Sequence, residues 1–452
     1  MIKRFIRRVL RIGPGSEPER ITAAVHGVRR ERLSYGARKV CEVLASHGHE
    51  AYVVGGAVRD LMLGLAPKDF DVATDATPEE VHRHLRRSRL IGRRFRIVHA
   101  VFHDEVVEVS TYRASNPGDA EEARDRVVDE HGRLLRDNVW GNREQDAARR
   151  DFTVNALYYD PATETVLDYH RGVRDLKRRC LRIIGDPRTR FREDPMRMLR
   201  AVRLAAKLEF QIDPKTRAPI REMAALMENV PAARLFDEML KMLLSGHAGA
   251  CLHRLRAEGL HHGVLPLLDV ILEQPLGEKF VDLALAQTDA RVRADKPVSP
   301  AFLFAALLWH EVLAAWRARA GRGERSLPAL HAAMDEVVDL QTDKLAIPRR
   351  LTATMNEIWS LQPRFEQRSG KRPFGLLMHP RFRAAYDFLV LRVESGEAPA
   401  ELATWWQRFV AGGPAERTEL LLPAAPGERK RRRRRGRRKA PAGAPPVAAP
   451  QT

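Results

Sequence analysis

The residues best placed to do chemistry are Asp69 and Asp71, near the end of the stretch Tyr52–Val72, YVVGGAVRDLMLGLAPKDFDV. Phe70 and Val72 alternate with them, the period-two pattern of a half-buried strand, so both carboxylates share one face while the apolar pair faces a core. Two carboxylates that close repel each other, and a divalent cation makes the pair favourable. Twelve residues separate Asp69 from Gly56. Gly55-Gly56 ends a short apolar run, Ala51–Val54, and opens a segment of helical character, Ala57–Leu63, which Gly64 and Pro67 break. Glycines at a helix start offer bare N–H groups to phosphate oxygens. A glycine pair alone is a common turn, and Asp-x-Asp alone a common strand edge. A phosphate cradle and a metal clamp in one unit, with Arg59-Asp60 between them, point to transfer of a nucleotide.

Positioning that unit requires a small α+β fold. Leu33–Ser46 has helical spacing and leads into the Tyr52 strand. After Asp71, Thr77-Pro78-Glu79-Glu80 reads as a helix start, with Thr77 as N-cap. Apolar runs Arg96–Phe102 and Val106–Ser110, separated by His103-Asp104, read as a hairpin. These elements predict a mixed sheet with helices on one face. Ala114–Gln145 is polar with little periodicity and reads as a long loop over the site. Helical patterning begins at Arg188 and dominates to about residue 412, beyond which Pro, Ala and Arg take over.

Composition narrows the partners. The chain has 452 residues, 44% of them hydrophobic, and a net charge of +19. Arg429–Lys439 holds ten basic residues and one glycine; without it 68 basic residues still face 59 acidic ones. Such an excess favours polyanions. Cys41, Cys180 and Cys251 are scattered without CxxC spacing, which reads as thiols in a reducing, cytoplasmic setting and excludes a structural zinc. Met1–Ile12 resembles a basic amphipathic helix and lacks the uninterrupted apolar core of a signal peptide. The apolar run Ala301–Trp309 is too short to span a bilayer.

A glycine pair, this gap and Asp-apolar-Asp-apolar resemble the signature of the DNA polymerase β-like nucleotidyltransferases. GGAVRD, KDFDV, VSTYR (Val109–Arg113), RRDFTVNAL (Arg149–Leu157) and REDPMRMLRAVRLAAKL (Arg192–Leu208) narrow this. The chain looks like a member of the class II tRNA nucleotidyltransferase and bacterial poly(A) polymerase family. PAARLFDEMLKMLLSG, SPAFLFAALLWH, KLAIPRR, HPRFRAAYDFLVLR, the Ile91–Phe102 segment and the arginine-rich tail resemble the poly(A) polymerase branch. The resemblance implies a polymerase β-like head followed by a long all-α neck, body and tail. The expected boundaries are a basic segment 1–30, head 31–170, neck 171–245, body 246–412 and a disordered tail 413–452. It implies AMP addition from ATP to RNA 3′ ends without a template, with Mg²⁺ or Mn²⁺ in a two-metal site. Protein partners in RNA decay stay unidentified. The alternatives are a CCA-adding enzyme and an inactive RNA-binding protein that keeps the fold; the intact Asp69/Asp71 pair opposes the second.

Within that reading Asp69 and Asp71 hold metal, and two residues compete for the third carboxylate. Asp151 matches the family's RRD motif; Glu108 lies between Val107 and Val109 on a strand and points away from the core. Gly55, Gly56, Arg59, Arg113 and Arg150 would face the triphosphate, and Asn155 would sit beside Asp151 if that segment is helical. Base choice is assigned to Asp194 and Arg197, with Asp194 capping a helix begun at Pro195 and pairing with Arg197 along one face. A carboxylate accepts from an exocyclic amine and a guanidinium donates to a ring nitrogen, which admits adenine and cytosine alike. Arg197, Arg200, Arg203 and Lys207 share a basic face, read either as an RNA-phosphate surface or as solvated.

Overall fold

The computed structural model describes residues 17–92, 96–114, 126–128, 134–137, 139–265, 271, 273 and 276–423. Met1–Ile12, Arg429–Lys439 and the middle of Ile91–Phe102 lie outside them.

The strands, in chain order, are β1 (Glu19–Ile21), β2 (Ala51–Val54), β3 (Asp71–Thr74), β4 (Ser88–Ile91), β5 (Ile97–Phe102), β6 (Glu105–Thr111), β7 (Arg126–Val128), β8 (Leu134–Asp137), β9 (Leu157–Asp160) and β10 (Thr165–Asp168). Eight of them form one sheet in the order β1-β10-β9-β2-β3-β6-β5-β4. Neighbours are antiparallel except β3 and β6. After β3 the chain passes through the helix Pro78–His84 and the β4–β5 hairpin before β6 returns beside it. That helix starts at a capping box: Thr77 Oγ1 accepts from the Glu80 N–H, and the Glu80 carboxylate accepts from the Thr77 N–H, two orphan donors satisfied together.

One sheet face, with Val53, Val72, Val98, Val109 and Val166, merges with the main hydrophobic core. The helix Tyr35–Ser46 covers it with Ala37, Val40, Cys41 and Leu44, spaced as one helical stripe. The other face is also covered, contrary to expectation. Val54, Ala73, Tyr112, Tyr158 and Leu167 pack there with Ala147 of the helix Arg143–Arg149. That helix begins in the last three residues of the stretch expected to be a loop, Ala114–Gln145. Asn142 caps it through a second capping box, and Arg143 ties it to the hydroxyls of Tyr52 and Tyr169. β7 and β8 pair within the same stretch. The helix itself buries only Asp146 and Ala147, so it lacks the apolar periodicity that betrays a helix.

Two domain boundaries move. β1 pairs with β10 and closes the sheet edge, so the head begins before residue 31. At the other end the helix Pro414–Glu419 follows the helix Ala400–Ala411, and Leu420 and Leu421 pack on a second apolar cluster built from Phe365, Phe382, Trp405, Trp406 and Phe409. Structure therefore runs past residue 412.

The neck is led by the helices Pro187–Glu193 and Met196–Lys207. Most of the latter is buried: Met198, Leu199, Ala201, Val202 and Ala205 are all at or below 1% exposed. The short Ala301–Trp309 run is part of the longer helix Pro300–Gly321, the one helix among the described residues long and apolar enough to cross a membrane. Here Leu303 to Trp309 lie within the main core.

Candidate active site

β2, β3 and β6 lie side by side, and their register sets the site: Val54 opposes Asp71, and Asp71 opposes Glu108. Phe70 and Val72 are buried and Asp69 is exposed, as the alternation predicts, although the strand itself starts only at Asp71. The Asp71 carboxyl is pushed up to about 6, by burial first, then by Glu108 and Asp69, against the opposing pull of Arg150. This is an anionic corner with too little local compensation, the condition a cation relieves.

Gly55 has φ 73° and ψ −137°, a conformation closed to side chains. A Cβ there would meet Arg150 Nη1 and Asp71 Oδ2, each at 3.6 Å. Arg150 is thus held against the carboxylate corner, where Asp146 Oδ2 (3.1 Å) and the Tyr158 hydroxyl (3.0 Å) accept from it. Asp146, four residues before Arg150, is a buried partner that the sequence reading passed over, although the i,i+4 spacing was there to see.

Arg59 is 5% exposed. Its guanidinium donates to Asp60 (2.8 Å) and to Asn155 Oδ1 (2.5 Å), while Asn155 Nδ2 donates to Asp151 (3.1 Å). The Asp151–Asn155 contact is therefore present, made by a 3-10 turn at Thr153–Asn155 rather than an α-helix. Asp151 also accepts from the Phe152 N–H (2.7 Å) and faces Arg200 at 3.8 Å. Burial raises the Asp151 carboxyl, and Arg200, the Asn155 amide and the Phe152 N–H outweigh it and hold it low. Asp151 is an anion with its partners in place, whereas Glu108 is the carboxylate that loads Asp71. Arg113 is buried, donates to the Arg96 carbonyl (3.1 Å) and lines the same hollow as Glu108, Arg150, Asp151 and Asn155.

The local setting expected for Asp194 needs correction. Pro195 occupies the N-cap, Asp194 ends the preceding helix, and the two side chains do not pair with each other. Arg197 donates to Glu193 (2.9 Å) and to the Arg190 carbonyl (2.7 Å). Both Asp194 oxygens accept from Arg234, at 3.0 and 3.2 Å, from the helix Ala232–Leu243. The extended backbone of Asp194, φ −149° and ψ 96°, turns its carboxylate toward that helix. Arg234, forty residues on, left no local signal. Both residues line the hollow shared with Arg150 and Asp151.

The basic face of the Met196–Lys207 helix is neither free nor simply solvated. Arg197 meets Glu193, Arg200 meets Asp151, Arg203 meets Glu238 (2.6 Å) and Lys207 meets Asp60 (3.9 Å). Two of these pairs run from neck to head and fix the neck over the site.

The donor set suits a hard divalent cation: carboxylates without thiols or imidazoles at Asp69 and Asp71. Among the described residues no group of three His, Cys, Asp or Glu side chains is placed to hold a metal ion.

The sheet order, the glycine turn and the carboxylate corner place the head among polymerase β-like nucleotidyltransferases. Family models agree: residues 51–182 match the poly A polymerase head domain, 209–272 the probable RNA and SrmB-binding site of polymerase A, and 322–440 the polymerase A arginine-rich C-terminus. Poly(A) polymerase I of Salmonella typhi is 44% identical over 90% of this chain and 89% of its own length. That of Escherichia coli O157:H7 is 45% identical over 90% and 89%. A CCA-adding enzyme of Enterococcus faecalis reaches 36% over only 46% of the chain and 48% of its own. Among solved structures, the Bacillus stearothermophilus CCA-adding enzyme in complex with CTP superposes with a TM-score of 0.55 at 25% identity, covering 83% of this chain and 82% of that one. The chain belongs to the bacterial poly(A) polymerase I family.

Proposed function

We propose that the chain is a polynucleotide adenylyltransferase that adds AMP from ATP to RNA 3′ ends without a template. The observation that carries this is the match to poly(A) polymerase I along nine-tenths of the chain, joined to an intact Asp69/Asp71 pair. The hydroxyl oxygen at the RNA end bonds to the α-phosphorus, the bond to the β-phosphate breaks, and pyrophosphate leaves. Divalent ions, Mg²⁺ or Mn²⁺, would be held by Asp69 and Asp71 and would neutralise charge on the attacking and leaving oxygens. Glu108, opposite Asp71 in the ladder, takes the hydroxyl proton on a carboxylate oxygen. Gly55, Gly56 and Arg150 seat phosphate beside the carboxylates. Arg113, Asp151 and Asn155 shape the hollow for the sugar and α-phosphate, and Arg59 supports them through Asn155 and Asp60.

Selection of adenine follows from the tethers. Asp194, held through both oxygens by Arg234, and Arg197, held by Glu193 and the Arg190 carbonyl, form a pocket of fixed width. A pocket that cannot narrow leaves a pyrimidine edge short of its partners, and each unpaired polar group costs about 1–3 kcal/mol. Arg197 and Asp194 therefore favour ATP over CTP although their chemistry admits either base. The deciding experiment offers each nucleoside triphosphate separately with an RNA lacking any tRNA fold. ATP alone should support many additions; addition of C, C and A to truncated tRNA only would make the chain a CCA-adding enzyme.

A further inference from the structure

The row of side chains that carries the site does not stop at Glu108. Val54, Asp71, Glu108, His99 and Arg89 stand opposite one another across the adjacent strands β2, β3, β6, β5 and β4, so they share one face of the sheet. Toward β2 and β9 that face is covered by the helix Arg143–Arg149. Toward β4 it is open. The next row along pairs Val101 with Val106, which are 37% and 49% exposed, and Arg89 is exposed at the sheet edge. The residues that alternate with them, Val98, Ala100, Val107 and Val109, are buried on the opposite face. The pleat is therefore regular here, and the two valines face outward by register. His99 Nε2 lies 3.9 Å from Glu108 Oε2, beyond hydrogen-bond length, and its side chain is one-third exposed. Beyond the carboxylates, then, lies a shallow floor of one imidazole and two valines with a guanidinium at its rim.

The direction of attack at phosphorus says what this floor receives. In nucleotidyl transfer the attacking and leaving oxygens lie in line, on opposite sides of the α-phosphorus. Gly55 and Arg150 stand on the β2 flank of Asp71, and the leaving group goes there. The attacking hydroxyl then arrives over the other flank, at Glu108, and the nucleoside that carries it extends past Glu108 over His99. Along the strands the direction of Ile97, Ser110 and Arg113 belongs to the hollow assigned to the incoming nucleotide, which leaves the direction of Val101 and Val106. Nucleobases present flat faces that stack on rings such as imidazole, and this contact tolerates any sequence. We propose that His99, Val101 and Val106 seat the last nucleoside of the RNA, with His99 under its base and Arg89 beside the phosphate that precedes it. A seat that reads a ring face and no base edge suits addition to RNA ends of any sequence. The assignment rests on the proposed adenylyl transfer, with Glu108 as the group that takes the hydroxyl proton, and it makes or breaks no further bond.

The test has two arms. An RNA ending in 4-thiouridine is bound to the full chain without any nucleoside triphosphate, irradiated, and the crosslinked peptide is identified by mass spectrometry. The crosslink should fall within residues 97–106. In the second arm His99→Ala, His99→Phe and the Val101→Ser/Val106→Ser double variant, each checked for an unchanged melting temperature, are assayed for AMP addition. His99→Ala and the double variant should raise KM for RNA by about fivefold or more, the loss of one stacked base, while KM for ATP holds within about twofold. His99→Phe keeps a ring without its nitrogens and should stay within about twofold of wild type. A crosslink to another segment, or none, overturns the proposal, as does an unchanged KM for RNA. So does a His99→Phe variant as impaired as His99→Ala, which would make His99 a polar partner of Glu108 instead. Crosslinking does not depend on adenylyl transfer, so failure of the seat is distinguishable from failure of the proposed function.

Discussion

At the β3 edge, Asp71 lies between Val54 and Glu108 with Asp69 nearby, and its carboxyl is displaced to about 6 by that company. Along the Met196–Lys207 helix, four cations stand in a row and each meets a carboxylate: Glu193, Asp151, Glu238 and Asp60. Both regions are rich in charge, yet one leaves its repulsion in place and the other cancels it. Cancelled charge fixes the neck on the head; uncancelled charge waits for a ligand. Counting charged residues does not separate these roles. The partners do.

The comparison breaks first at Asp71. Asp71→Asn should lower AMP incorporation by more than about a hundredfold, since even the indirect supports of a metal typically cost 10–100-fold when lost. Incorporation assays on folded variant protein check this, and near-normal activity would remove Asp71 from the chemistry. The paired region should respond in the opposite way. Glu238 is 3% exposed, and Glu238→Gln leaves the Arg203 charge without its counter-ion. Unfolding by urea should show a loss of about 1–3 kcal/mol, with KM for ATP little changed.

The tethers sharpen the contrast further. Arg234→Ala frees Asp194, so the ratio of CTP to ATP incorporation should rise by roughly tenfold, the worth of one buried polar contact. A ratio that stays put would assign base choice elsewhere. The smallest effect belongs to the arginine-rich end. Removing residues 428–452 should flatten the salt dependence of RNA binding, each engaged phosphate contributing about −0.7 to the log–log slope on single strands, and leave single-nucleotide turnover nearly intact.

Much of this was legible in the sequence because short-range patterns carried it. Asp-apolar-Asp-apolar placed Phe70 and Val72 inside, Thr77-Pro78 started its helix, and His103-Asp104 turned the β5–β6 hairpin. The Asp71–Glu108 adjacency was only half visible: the alternation around Glu108 showed its face, but a parallel pairing between strands thirty-odd residues apart leaves no local mark. The helix Arg143–Arg149 was hidden because it buries only Asp146 and Ala147 and most of its other residues are polar or charged. The capping position of Asp194 was misjudged for the same kind of reason. Its sequence neighbours suggest a cap and an i,i+3 pair, and a distant arginine, Arg234, takes the carboxylate instead.

The central claim is that the head keeps Asp71 in an unfavourable setting for the sake of chemistry. The direct measurement is the unfolding free energy of wild type and Asp71→Asn, both free of metal, across pH 4 to 7. A carboxyl raised from 3.8 to about 6 in the folded protein contributes its stability below the lower value and loses it as pH rises through the upper one. Relative to Asp71→Asn, the wild type should therefore lose about 2–3 kcal/mol over that window and be the less stable protein at pH 7. A wild type as stable as the variant at pH 7, with the same pH dependence, would contradict the account.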